Sequence, residues 1–412
     1  MQMQAALDLD AIRAEFPALA QDFVFLDNAG GSQVLGRVAD RIRDYLLSTS
    51  VQLGASYAVS QAASERVLEA RRSVAQLINA AHDEEVVMAG ATTLLMHLLT
   101  TAIAPSIQPG DEIIVTETDH ESNVGGWMRL QAQGAVVKLW PVNRETLELD
   151  LAMLDTLLSP RTRWVAMTHA SNVLGTVNPV AEVARRVHAV GGKLAVDGVA
   201  YAPHRLVDVH ASGADVYVFS FYKIFGPHYA VLWGRRELLL GLPSLNHFFI
   251  GPEVLPYKLQ PGNVNFELSY GCIGIADYLQ HVGRTLGAAG TPRQQMQAAF
   301  DAFAAHEDTL AEQLLGWLRA RKGVRIFGRP QVQQADRMPT ISFVVAGQRS
   351  EDIVRAVDAH RIGIRFGDFY ARRLADALDL HAHGGVVRVS MAHYNTASEI
   401  DRLIRALDQA IH

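Results

Sequence analysis

Apolar residues fall along this chain in short blocks, and the blocks alternate between two spacings. Runs of four to six apolar or β-branched residues at 112–116, 135–139, 163–168, 193–196, 216–219 and 230–233 predict strands. Between and before them, apolar positions at helical spacing predict helices over 35–49, 61–80, 94–104, 123–133, 151–158 and 179–190, with a further strand at Val86-Val-Met88. Strand and helix in alternation imply βαβ units and a mainly parallel, doubly wound sheet, an α/β fold. A short helix at 8–16 and a brief strand at Phe23–Leu26 come first, and the strand leads into the polar turn Asp27–Ser32, which reads as a connector. Near 285–294 the composition turns to Gly, Ala, Thr and Pro, the punctuation of a hinge. Beyond it a long helix at 295–320, strands at 323–326, 340–345 and 385–390, and helices at 350–360 and 396–410 predict an α+β unit. The expected division is a large domain of residues 21–285 and a small one of 286–412, with 1–20 packing on the small one.

Composition narrows the possible functions. A chain of 412 residues exceeds the roughly 250–300 at which one core stops growing, so two domains are expected. Hydrophobic residues make up 49% and charged ones 19%, with no repeat or low-complexity tract, so nothing predicts disorder. A net charge of −6 without a basic cluster gives no footprint for nucleic acid or a membrane surface, which favours small-molecule chemistry. The longest apolar run, Val86–Ala104, holds Gly90, four threonines and His97, and is not a membrane span. The single cysteine, Cys272, excludes an intramolecular disulfide and an all-cysteine metal site. With no basic-then-apolar signal segment at the start, a cytoplasmic location is expected.

One stretch stands out chemically. Val216–Phe219 run into Ser220, Tyr222 and then Lys223, before Gly226 and Pro227 end the segment. A lysine between an apolar strand and an aromatic turn either snorkels to the surface or is used covalently, as in a Schiff base with a carbonyl cofactor. Ligands of doubly wound sheets sit beyond the carboxyl ends of the strands. Asp119-His120-Glu-Ser-Asn123, His169-Ala-Ser-Asn172, Asp197 and the Ser220–Lys223 run all fall there. Each has a plain reading as a turn, cap or core residue, yet together they match the needs of pyridoxal phosphate. Asp197 would face the ring nitrogen, His120 would stack on the ring, Asn172 would reach the phenolic oxygen and Lys223 would supply the amine. The turn Gly90-Ala91-Thr92-Thr93 opens a helix whose free N–H groups suit a phosphate, and Ser220 and Tyr222 add hydroxyls. No Gly-x-Gly-x-x-Gly follows an early strand, so a nicotinamide enzyme is disfavoured. His381 and His383 lack a third ligand, so no metal is expected.

In order and spacing, Ala91-Thr-Thr93, Asp119–Asn123, Ser171–Thr176, Val196-Asp-Gly198, Phe219–Pro227 and Val387–Thr396 resemble the class V aminotransferase superfamily, most of all its cysteine desulfurase-like branch. The resemblance implies a fold type I enzyme with a seven-stranded large domain, a small C-terminal domain, and a homodimer with its sites at the subunit interface. It assigns cofactor contacts to Ala91, Thr92, Thr93, His120, Asn172, Asp197, Ser220, Tyr222 and Lys223, and gives Asn263 the neighbouring subunit's phosphate. It places Arg388 on the substrate carboxylate, with Asn28 and Tyr370 as further substrate contacts. Two positions depart from the family. Ala200 stands where its desulfurases usually carry glutamine, and Tyr370 ends the run Arg365-Phe-Gly-Asp-Phe-Tyr370 where they carry the catalytic cysteine. Tyrosine cannot accept a sulfur atom as a persulfide. Cys272 lies in an apolar helix start outside that loop and is expected to be buried and inert.

The expected function is therefore a pyridoxal phosphate enzyme acting on a small amino acid, with Lys223 moving the α-proton. Carbon–sulfur or carbon–selenium cleavage without a persulfide comes first, and transamination or racemisation are the alternatives. A catalytically idle, partner-binding paralogue is the reading from another class. Tyr370 reads either as an acid or substrate contact or as simple packing.

Overall fold

The computed structural model describes residues 7–332 and 336–411. Thirteen strands are present among them, and seven form the large sheet: β2 (Val86–Ala89), β3 (Glu112–Thr116), β4 (Val136–Trp140), β5 (Thr162–Thr168), β6 (Lys193–Asp197), β7 (Val216–Ser220) and β8 (Ala230–Gly234). Their spatial order is β2-β8-β7-β6-β5-β3-β4, and only β8 runs against the others. The mainly parallel α/β sheet expected from the alternating pattern is thus formed.

Both faces of this sheet are covered, and side-chain alternation divides its residues between two cores. Leu194, Val196, Tyr217 and Phe219 point into one, while Ala195, Val216 and Val218 point into the other. Register then sets the site. Thr168 pairs with Asp197, Asp197 with Val218, and Ser220 with Ala230, so the polar residues that close β5, β6 and β7 lie side by side at one edge.

A smaller antiparallel sheet has the order β12-β13-β10-β9, built from β9 (Val324–Phe327), β10 (Thr340–Val345), β12 (Arg365–Gly367) and β13 (Val386–Ser390). The two-residue strands β1 (Val24–Phe25) and β11 (Ile362–Gly363) pair beside it, and Asp27 bridges to Ser390 at its edge. The helix Pro292–Arg319 connects the two sheets. Met296, Phe300 and Phe303 at its start pack into the large-sheet core, and Leu310, Leu314 and Leu318 at its end into the small-sheet core.

Two elements differ most from the sequence expectation. The helix predicted over 123–133 is broken into 3₁₀ turns at Glu121–Asn123 and Arg129–Gln133 around a single α turn at Gly125–Met128. Gly125 and Gly126 weaken it, and Gly134 ends it in the left-handed region. Conversely, a 20-residue helix, Phe266–Thr285, fills a stretch for which only a helix start was expected. Its glycines look like breakers in sequence but are contact points. A Cβ on Gly271 would lie 2.6 Å from Ile42, and one on Gly283 would lie 2.0 Å from the Gln295 carbonyl oxygen, so these glycines let neighbouring helices approach closely.

Candidate active site

The strand ends of the large sheet open onto a cavity. Ala91, Thr92, Thr93, His120, Asn172, Asp197, Ala200, Ser220, Tyr222 and Lys223 line it, so most of the residues singled out from sequence converge. Ser122, Thr168, Ala170 and Val199 line it as well, without having been singled out.

Lys223 follows β7 on a 3₁₀ turn, and its ammonium donates to the Ala29 carbonyl at 2.6 Å. Burial pushes its pKa down to about 8; Arg388 pushes the same way, while Asp197 and Asp27 oppose it. Asp197 ends β6, and its Oδ1 accepts the Val199 N–H at 2.8 Å. Burial raises its pKa to about 6. His120 receives the Ser122 N–H at Nδ1, and burial lowers its pKa to about 4, so the ring is neutral. Its turn is held by buried Asp119, which accepts from Asn123 Nδ2 at 2.7 Å and the Thr168 N–H at 3.1 Å.

Opposite Asp197, the helix Thr92–Ile103 begins at Ala91 with no side chain capping its free N–H groups. Thr92 Oγ1 and Ser220 Oγ are hydrogen-bonded there at 2.5 Å. Tyr222 stacks on His228 beside them, at 4.9 Å between ring centroids. The donor set fits pyridoxal phosphate. An uncapped helix start with hydroxyls suits the phosphate, a buried carboxylate suits the ring nitrogen, and an amine of lowered pKa suits the aldehyde.

The loop after β12 reaches in from the small sheet. Phe369 and Tyr370 both adopt positive φ, at 55° and 61°, a conformation that costs energy outside glycine. Surrounding contacts hold them there. Asn172 Nδ2 donates to the Phe369 carbonyl at 3.0 Å, the Glu121 N–H donates to the Tyr370 carbonyl at 2.9 Å, and Arg373 pairs with Glu121. Tyr370 is 69% exposed, and its ring centroid lies 5.2 Å from that of His120.

Besides Tyr370, three expected residues do not line the cavity. Asn28 is buried, with Nδ2 donating to the carbonyls of Phe25 and Ser390 and Oδ1 accepting from the Tyr394 hydroxyl. Its amide fastens the turn to β13. Asn263 is exposed and accepts from the Tyr257 hydroxyl at 2.9 Å. Arg388 is only 2% exposed. Its guanidinium lies 3.7 Å from the Phe369 ring centroid, and Nη2 donates to Asp27 at 2.8 Å. Asp27 went unnoticed in the sequence because nothing in a polar turn announces a partner 361 positions away.

Cys272 is buried in the helix Phe266–Thr285, its thiol donating to the Leu268 carbonyl at 3.2 Å, and burial drives its pKa well up. No group of three or more His, Cys, Asp or Glu suited to a metal occurs among the described residues. No helix among them is long and apolar enough to cross a membrane.

Comparison with known proteins agrees with this geometry. The profile of the family described as aminotransferase class-V matches residues 24–403. An aminotransferase-like protein of Gibberella zeae is 41% identical over 415 residues, covering 99% of each chain. A cysteine desulfurase of Dickeya dadantii is 33% identical, covering 97% of this chain and 96% of that protein. The crystal structure of the cysteine desulfurase CsdA from Escherichia coli superposes with a TM-score of 0.84 at 30% identity, covering 98% of this chain and 99% of that one.

Proposed function

The chain belongs to the class V aminotransferases, a pyridoxal phosphate-dependent family, and from that premise we propose that it cleaves a carbon–sulfur or carbon–selenium bond of a small amino acid without a persulfide cysteine. One observation carries this reading: the loop that meets His120 presents Tyr370, while the only thiol is buried in a helix that does not line the cavity. Sulfur leaving with its own substituent needs no protein thiol to receive it.

Asp197, His120, Asn172 and Lys223 would hold the cofactor's ring, and Thr92, Thr93, Ser220 and Tyr222 its phosphate. Bound there, pyridoxal phosphate supplies an aldehyde for the substrate amine and an electron sink for the α-carbon. The protein's part is orientation and proton transfer. Lys223, with its pKa near 8, is suited to take the α-proton as base near neutral pH. Arg388 offers a planar donor for the substrate carboxylate. Neutral His120 would cover the cofactor's ring without adding charge, and the exposed Tyr370 hydroxyl, its ring beside His120, would be available to protonate a departing sulfur. Ala200 gives no donor where the desulfurases usually have glutamine, leaving Asn172 as the side-chain amide in the lining. Asn263 lies outside its own chain's cavity, in keeping with a homodimer in which it serves the other copy.

Two measurements test the reading. Purified protein should be yellow, and Lys223→Ala should lose the covalent cofactor after reduction, with activity falling about 10²–10⁴-fold. Incubation with cysteine, cystine, selenocysteine and a cysteine sulfoxide should release pyruvate. Alanine with a persulfide on the protein would mean desulfuration through Cys272 and would reject the proposal.

A further inference from the structure

The arginine assigned to the substrate carboxylate already has a carboxylate. Arg388 Nη2 donates to Asp27 Oδ1 at 2.8 Å, and the other oxygen, Asp27 Oδ2, lies 3.8 Å from Arg365 Nη1. Arg365 of β12 and Arg388 of β13 are direct cross-strand partners, a like-charge pair that Asp27 alone bridges among the described residues. The two arginines differ in freedom. Arg388 is pinned by Phe369 and by its bond to the Asn172 carbonyl, whereas the Arg365 side chain is 58% exposed and able to swing. The Asp27 backbone is fixed by its bridge to Ser390, but its carboxylate sits over Gly30, where a Cβ would come within 2.7 Å of Oδ2. The turn therefore keeps this carboxylate's space clear.

We propose that Asp27 is an exchangeable counter-ion: an incoming substrate carboxylate takes Arg388, and Asp27 passes to Arg365. The inference rests on the reading of Arg388 as the carboxylate site. It makes Asp27 a specificity residue, because a ligand must outcompete a carboxylate already present, which disfavours weak anions that lack an amine to join to the cofactor.

The test is binding of propionate, a carboxylate with no amine, to the cofactor-loaded enzyme, followed by saturation-transfer NMR. Asp27→Asn should bind it at least about fivefold tighter, the lower end of ordinary coupling between two sites. Arg365→Gln, at a side chain that is 58% exposed, should weaken it roughly twofold to fivefold, the worth of an exposed ion pair. That weakening should vanish when Asp27 is already Asn. If Asp27→Asn binds no tighter than wild type, or if Arg365→Gln acts equally in both backgrounds, Asp27 only props Arg388 and the exchange is wrong. If Arg388→Gln binds propionate as wild type does, the carboxylate assignment itself fails, a distinct outcome.

Discussion

At the scale of single residues, Lys223 joins sequence to chemistry most directly. An ordinary lysine at pH 7 is free amine in about one molecule in three thousand, whereas a pKa near 8 gives about one in ten. The sign for stability follows. Because the folded pKa lies below the unfolded 10.5, the cost of holding the charged amine is present in full below pH 8 and is relieved as pH rises from 8 toward 10.5. Cofactor-free protein should accordingly take up pyridoxal phosphate at a rate that rises with a midpoint near pH 8, read from the visible band. A midpoint near 10.5 would mean the amine is exposed and unperturbed. Lys223, Asp197 and His120 were legible because such groups are costly beside apolar strands and so draw notice. Asp27 and Asn28 sit in an ordinary polar turn, and their partners, Arg388 and Tyr394, come from the far end of the chain.

At the scale of elements, strands were the most legible part, since their apolar runs in the large sheet all became strands. Helices built on glycine were the least, because glycine's local cost is visible in sequence while the close packing that offsets it is not. The helix Pro292–Arg319 tests how energy is shared along an element. It begins with a capping box in which Thr291 accepts the Gln294 N–H and Gln294 reaches back to the Thr291 N–H. Thr291→Ala should cost about 1 kcal/mol. Phe303→Ala removes a fully buried ring stacked on His393 at 3.8 Å, and should cost about 3–5 kcal/mol by guanidinium unfolding. Equal losses from the two changes would show that the cap contributes as much to the helix as this core ring does.

At the scale of the molecule, the two sheets have distinct main cores, but that one helix serves both, and a smaller cluster packs Val173 and Leu174 against Phe327 and Val344. Tryptophan fluorescence reports mainly on the large sheet, where Trp127, Trp140, Trp164 and Trp233 lie, while circular dichroism reports on all helices. Their unfolding curves should coincide in wild type and shift together in Phe303→Ala, because loosening the shared helix loosens both cores. Two separated transitions would show that the sheets unfold independently. The same architecture explains what sequence could not reveal about the site: a loop from the smaller sheet docks on Asn172 and Glu121 beside the cavity, and that docking depends on how the sheets meet. Tyr370, at the tip of that loop, belongs to no core. A new side chain there burdens neither sheet, so a lineage can vary this position while its fold goes on being inherited unchanged.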